Sequence, residues 1–399
     1  MTSTSASPQQ ILKTRLKQAR QLLFCDRAAK RLYPLTAYLR PQTIAGYIGF
    51  LGHQNLGDEI LFEAFQKLFE DWQLLTYDGA IESVHNPPFC YYPLELRLYQ
   101  QWVQPSPFYQ LVFLGGGTLI NRRQYLSRFQ HVLQQQIPGV VFGTGVADPA
   151  FLQSKGDTEQ FQQQIRQWVP LLKDAAMVTV RGPRSAQILA DHGLSTPEVV
   201  GDPALAVCLQ RPVPHSRTGV IGINVGSHGT LWGDQAQVEA AAAELIGQLI
   251  AMGRQVELLP FDPGDLKLSQ RLLQQFEAAP DQVSIWPHFT RPKATLKRIH
   301  HYDLVIGQRL HACVLACGCG VPFIALKYEP KCDDFLDSVG MQEFSLRTDA
   351  LQVEMLLSLV RQIEQDYDAH CQRLIAVSQH YQARLQQAAV TVRSLVSCA

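Results

Sequence analysis

The chain has no surplus of charge: lysine and arginine number 35, aspartate and glutamate 35, and the formal net charge is zero. Nucleic-acid binding draws on concentrated positive charge, so this balance argues against it and leaves only local anion sites. No apolar run reaches the roughly 20 residues needed to cross a bilayer. Residues 1–10 are polar, without the charged start and apolar core of a secretory signal. The nine cysteines are scattered and odd in number, with no repeated C-x-x-C pair. Cys313, Cys317 and Cys319 cluster among Val, Leu, Ala and Gly, which suits buried packing; with no fourth ligand, no metal is expected. A reduced, cytoplasmic protein is the expectation.

What is present is apolar material in quantity. A chain of 399 residues with 46% apolar content exceeds one ordinary core, so two domains are expected. Residues 1–40 read as a basic lead-in, with Ile11, Leu12, Leu16, Ala19, Leu22 and Leu23 at helical spacing. It reads as a solvated helix packed on the first domain; peripheral contact with anionic lipid at the inner face of the membrane is the sharper alternative. From residue 43, short apolar runs that end in glycine or polar residues alternate with helical patterns. That alternation predicts parallel sheets covered on both faces.

The first such domain is expected over residues 41–207 and a second over 215–345. The aperiodic, proline-bearing stretch 210–218 links them. Residues 350–399 predict helices that pack back across both domains. The fold class is therefore α/β, with two doubly wound Rossmann-like domains facing a cleft.

Four strand ends carry chemistry. Residues 46–59 run from a strand into a helix through Gly49, Gly52, His53, Asn55, Gly57 and Asp58; the glycines allow close backbone approach, and Asn55 and Asp58 suit a cap. The spacing is not G-x-G-x-x-G, so no dinucleotide fingerprint is present. Gly115, Gly116 and Gly117 follow the next apolar run and would let a ligand rest on the backbone. Arg181 follows the strand 177–180, ahead of Pro183 and a helix, and is the stronger ligand candidate; Arg184 reads as solvated. Residues 303–312 form a buried strand ending at Arg309, Leu310 and His311, where a helix begins. A guanidinium that can fork onto phosphate or carboxylate stands two residues from an imidazole that moves protons near neutrality. Ligands of open α/β sheets bind beyond the carboxyl ends of the strands, so chemistry on an anionic substrate is indicated.

In their order these motifs resemble the polysaccharide pyruvyl transferase family. The likeness rests on Asn55, Gly57, Asp58 and Glu59; Gly115 to Gly117; Arg181 and Ser185; Gly201, Asp202 and Pro203; Ile306, Gly307, Arg309, Leu310, His311 and Ala312; and Gly320, Val321, Pro322, Lys327 and Tyr328. It extends over about residues 44–345. The resemblance implies a GT-B-like fold and phosphoenolpyruvate as donor substrate, with no cofactor or metal. It further implies that Arg181 and Arg309 clamp the donor, one from each domain, with Leu310 and His311 beside them. His311 would be the general acid, and Asp58 the base for a hydroxyl of a saccharide or lipid-linked glycan acceptor held against Asn55, Gly57 and the Gly115 to Gly117 turn. Acceptor specificity would lie in loops such as 121–125 and 228–232. A nucleotide-sugar glycosyltransferase of the same architecture, or a non-catalytic glycan-binding relative, are the competing readings.

Overall fold

The computed structural model describes residues 43–77, 109–155, 160–214, 216–227 and 229–397. The basic lead-in, and with it the lipid-contact expectation, lies outside the described residues.

The first sheet is built from β1 (Ile44–Ile48), β2 (Gln73–Thr76), β3 (Leu111–Leu114), β4 (Thr118–Ile120), β5 (Gly139–Val146), β6 (Met177–Val180) and β7 (Glu198–Val199). Its order is β2-β1-β3-β5-β6-β7, with β4 paired to the far half of β5, and every pairing is parallel. β1, β3 and β5 are apolar and buried on both faces, as a sheet covered by helices on both sides requires. The order reverses between β1 and β3, which opens a crevice at their carboxyl ends.

The second sheet comprises β8 (Val220–Asn224), β9 (Gln255–Leu258), β10 (Val283–Ile285), β11 (Leu304–Gly307), β12 (Phe323–Lys327) and β13 (Ser345–Arg347). Its order is β10-β9-β8-β11-β12-β13, again wholly parallel. The reversal falls between β8 and β11, so Arg309 sits just past a switch point.

The helices that position the site are α1 (Leu56–Leu68), α2 (Arg123–Gln134), α5 (Pro183–Asp191), α7 (Pro263–Gln274), α9 (Leu310–Cys319) and α10 (Pro330–Val339). α3 (Pro149–Ser154) packs Phe151 and Leu152 into a small cluster with Trp232, α4 (Gln160–Lys173), α6 (Gln235–Ala251) and α8 (Pro292–Ile299) bury their apolar sides in the two cores, and α11 (Val353–Gln365) precedes α12 (Tyr367–Ser397). No helix of the described residues is long and apolar enough to cross a membrane.

α12 ties the two halves together. Gln382 donates to the carbonyls of Leu205 and Cys208 beside the 3-10 turn Pro203–Val207, Tyr381 Oη donates to Ser338 O at 2.9 Å, and Arg393 pairs with Asp71 on the first domain. One apolar cluster runs from Tyr47 and Phe65 through Leu205 to Ile306 and Val392, so the halves share a core.

One strand differs from expectation in a way that matters. The apolar run 139–142 predicts a strand ending at Gly143, yet β5 continues to Val146. Gly143 adopts φ +61°, the register with β6 shifts between Val141 and Thr144, and the strand resumes. A Cβ at Gly143 would meet Pro203 at 2.6 Å, so glycine is needed for space as well as for conformation.

Candidate active site

The two switch-point crevices face each other across a cleft of about 280 Å³. It is lined from the first domain by Phe50, Asn55, Asp58, Gly117, Thr118, Arg122, Tyr125 and Arg181, and from the second by Phe261, Arg309, Leu310, His311, Tyr328 and Lys331. Four helices supply first-turn or capping residues to it: α1, α2, α9 and α10. Helix N-termini carry unpaired N–H groups and positive potential, so the lining favours an anion before any side-chain charge is counted.

Asn55 caps α1, its Oδ1 accepting from Gly57 N at 3.0 Å. Asp58, one turn in, is thereby free of the capping role and lies over the glycine turn, where a Cβ at Gly117 would be 3.7 Å from its Oδ1. Burial and the neighbouring Glu59 push its carboxyl up, Lys331 and Arg309 offset part of this, and the result is about 7. A carboxylate that titrates near neutrality is suited to take a proton from a hydroxyl.

The three glycines divide their labour. A Cβ at Gly115 would strike the Tyr47 ring at 2.2 Å and one at Gly116 would strike Leu61 at 2.4 Å, so these two are packing glycines. Gly117, with φ +97°, makes the turn and alone of the three lines the cleft.

Arg181 is 1% exposed. Its Nη2 donates to Thr118 Oγ1 at 3.2 Å and lies against Gly145, where a Cβ would come within 2.5 Å. Its two carboxylate neighbours, Asp202 and Asp334, stand at 3.7 Å, and its Nε and Nη1 have no hydrogen-bond partner. A buried guanidinium with two unused donor nitrogens is set to receive an anion.

Arg309 is placed differently. Its backbone N–H donates to Asn224 Oδ1 at 2.7 Å, which fixes the turn into α9. Its guanidinium forks onto Asp265, with Nε to Oδ2 at 3.0 Å and Nη2 to Oδ1 at 2.7 Å, and Nη2 also meets Asp262. Two of its three nitrogens are thus committed to carboxylates from the cap and first turn of α7. The short stretch 303–312 carries no sign of those partners.

His311, the second residue of α9, packs against α1 so closely that a Cβ at Gly57 would lie 2.1 Å from its Nδ1. Its Nε2 is buried without a hydrogen-bond partner, 3.8 Å from Asp202 Oδ2. Burial drives the imidazole down to about 4; Asp202 opposes this, while Arg181, Lys331 and Arg309 add to it. It is therefore neutral near pH 7 with nothing bound. Leu310 is buried at the first helical position and lines the cleft.

Three contributors escape motif reading. Lys331 enters from α10 and pairs with Glu329, and its Nζ stands 4.7 Å from the centre of the Tyr328 ring. Arg122, at the cap of α2, faces the same space. Asp202, read only as part of a Gly-Asp-Pro turn, reaches both Arg181 and His311. Each had only an indirect signal: Lys331 lies four residues after Lys327, Arg122 falls in the loop 121–125 and Asp202 in the Gly-Asp-Pro turn. Arg184, read as solvated, is exposed and also joins the halves through Asp337 at 2.5 Å and Asp333 at 3.3 Å, while Ser185 Oγ donates to Asp334 at 2.7 Å.

By fold, the chain is a two-domain GT-B-like α/β protein. It is similar to UDP-N-acetylglucosamine 2-epimerase from Rickettsia bellii, at 10% identity and a TM-score of 0.55 over 89% of this chain and 97% of that one. The UDP-GlcNAc-bound 2-epimerase of Neisseria meningitidis matches at 10% and 0.51 over 90% and 100%. The S. aureus MnaA–UDP structure matches at 11% and 0.52 over 84% and 91%. These likenesses concern architecture alone. No curated protein sequence matches the chain.

The polysaccharide pyruvyl transferase profile matches residues 55–330, and the chain belongs to that family. It is accordingly a transferase, and its activity is pyruvyl transfer in polysaccharide biosynthesis.

Proposed function

We propose that the protein transfers the pyruvyl unit of phosphoenolpyruvate to two hydroxyls of a saccharide, forming a cyclic ketal and releasing phosphate. The observation that carries this reading is the buried Arg181 guanidinium with two unpartnered nitrogens, in the lining of a cleft ringed by helix N-termini. A donor with phosphate and carboxylate on a small frame matches that lining, because both groups accept paired N–H bonds. Lys331 and Arg122 add charge on either side. Arg309 contributes backbone geometry and field, and would bind the donor directly through the nitrogen that Asp262 and Asp265 leave free, or by turning away from Asp262.

The proton balance assigns the remaining roles. His311 is neutral in the free protein, and a multiply charged anion beside it stabilises its imidazolium, so donor binding itself loads the acid. The imidazolium protonates the methylene carbon, and the central carbon becomes electrophilic. A first hydroxyl adds and gives its proton to Asp58. The carbon–oxygen bond to phosphate then breaks, the second hydroxyl adds, and its proton leaves with phosphate. Acid–base assistance of this kind contributes on the order of 10²–10⁴ in rate.

The test is incubation with phosphoenolpyruvate and a panel of glycans, read by product mass and phosphate release, with UDP- and GDP-sugars as controls. A ketal product supports the reading. Glycosyl transfer from a nucleotide sugar, or phosphate release without a ketal, would overturn it. Asp58→Asn and His311→Ala are each expected to suppress ketal formation.

A further inference from the structure

We infer that Phe50 is the stacking platform for the pyranose ring of the acceptor, so that the acceptor subsite is built on the loop between β1 and α1. The inference rests on the saccharide-acceptor reading above. Among the described residues, the exposed large hydrophobics are Phe50, Leu209, Met252, Met355 and Val390; Phe50, 36% exposed, is the aromatic one, and it lines the cleft. A single exposed apolar residue is ordinary on a protein surface; what singles out Phe50 is that it lines a polar cleft together with Asn55, Asp58 and Thr118.

The ring is held in place. His53 stacks on it with centroids 4.1 Å apart and planes 10° from parallel. Either side of His53, Gly52 has φ +82° and Gln54 φ +57°; glutamine in the left-handed region is a strained backbone, kept where the surroundings over-determine it. Those surroundings are visible: Leu51 is buried, Gly52 N donates to Glu59 Oε1 at 3.0 Å, Asn55 caps α1, and Leu56 N donates to Phe261 O at 2.8 Å. The loop is thus tied at four points while one apolar ring is left facing out.

A pyranose has an apolar C–H face and a rim of hydroxyls. Laid on Phe50, its apolar face is desolvated while its rim meets the polar groups of the same wall, namely Asn55, Asp58, Thr118 and Gln124. Because phenylalanine offers no hydrogen bond, the ring supplies affinity and those groups select the hydroxyls. The ligand class is a neutral pyranose with an unsubstituted C–H face, presenting a pair of hydroxyls to Asp58.

The test compares wild type, Phe50→Ala and Phe50→Trp in steady-state kinetics, varying donor and acceptor separately. Phe50→Ala is expected to raise the acceptor KM about tenfold, in line with stacking contributions elsewhere, with the phosphoenolpyruvate KM and Tm unchanged; Phe50→Trp is expected to restore acceptor KM. An unchanged acceptor KM, or an equal rise in both, would overturn the platform while leaving ketal transfer intact. Should wild type form no ketal, the parent reading fails instead, and saturation-transfer NMR with galactosyl, glucosyl and N-acetylmannosaminyl oligosaccharides decides the subsite. Saturation of ring C–H protons that is lost in Phe50→Ala supports it, and equal saturation in both proteins sinks it.

Discussion

Arg181 and Arg309 each follow a buried parallel strand and line the same cleft, Arg181 past β6 beside the edge strand and Arg309 past β11 at the switch point, and they meet opposite environments. Arg309 forks onto Asp265 and also holds Asp262, so most of its charge is answered within its own domain. Arg181 has one hydrogen bond, to Thr118, and its carboxylate neighbours stand off at 3.7 Å. An ion pair closed at 2.7 Å is a structural part, whereas the proposed donor site would draw on the Arg181 nitrogens that no protein group has taken. Motif symmetry does not imply equal roles.

The contrast can be broken most directly at Arg309. Arg309→Ala would strand Asp265, whose side chain is fully buried, and is expected to cost about 3–5 kcal/mol of stability in urea unfolding. A loss below 1 kcal/mol would mean that the pair is dispensable. Next in size, Arg181→Lys keeps the charge but loses the fork. It is expected to lower kcat/KM on the order of a hundredfold, mainly through the donor, with little change in Tm. Wild-type kinetics from that variant would remove Arg181 from the donor site.

The smallest effects are on pH dependence, where the two walls titrate in opposite senses. Asp58 is raised from 3.8 to about 7, so folding favours its protonated form; its contribution to stability is full below 3.8 and lost as pH rises to about 7. Asp58→Asn is therefore expected to exceed wild type in Tm at pH 8 but to match it at pH 4, while losing the activity that rises through about pH 7. His311 is lowered from 6.5 to about 4, so folding favours the neutral ring and stability falls as pH drops from 6.5 to 4. His311→Asn should flatten that acid limb. Parallel pH–Tm curves for all three proteins would refute both assignments.

Much of this was readable in the chain. Strand ends at Arg181, Gly307 and Gly115 are visible because buried parallel strands are short apolar runs that must stop at polar or glycine residues. The cap at Asn55 follows from local hydrogen-bonding chemistry. The ranking of the two arginines was not readable, because Asp265 lies 44 residues before Arg309 and meets it only when β8, β9 and β11 align. The charge that Lys331 and Arg122 bring to the cleft is hidden for the same reason, although Arg122 falls in the loop 121–125, as is the bridging of Arg184 to Asp333 and Asp337 between the halves.

Local sequence therefore accounts for the alternation of strands and helices, the glycines that turn at their ends and the polar or charged residues placed at individual strand ends, since those depend on neighbours within a few positions. Which arginine keeps unpartnered nitrogens, why Asp58 titrates near neutrality, why His311 is neutral and why the Phe50 ring is part-exposed in the cleft are decided by the packed molecule. Each depends on burial and on charges brought together from distant segments, and both arise only when the two sheets close on one another.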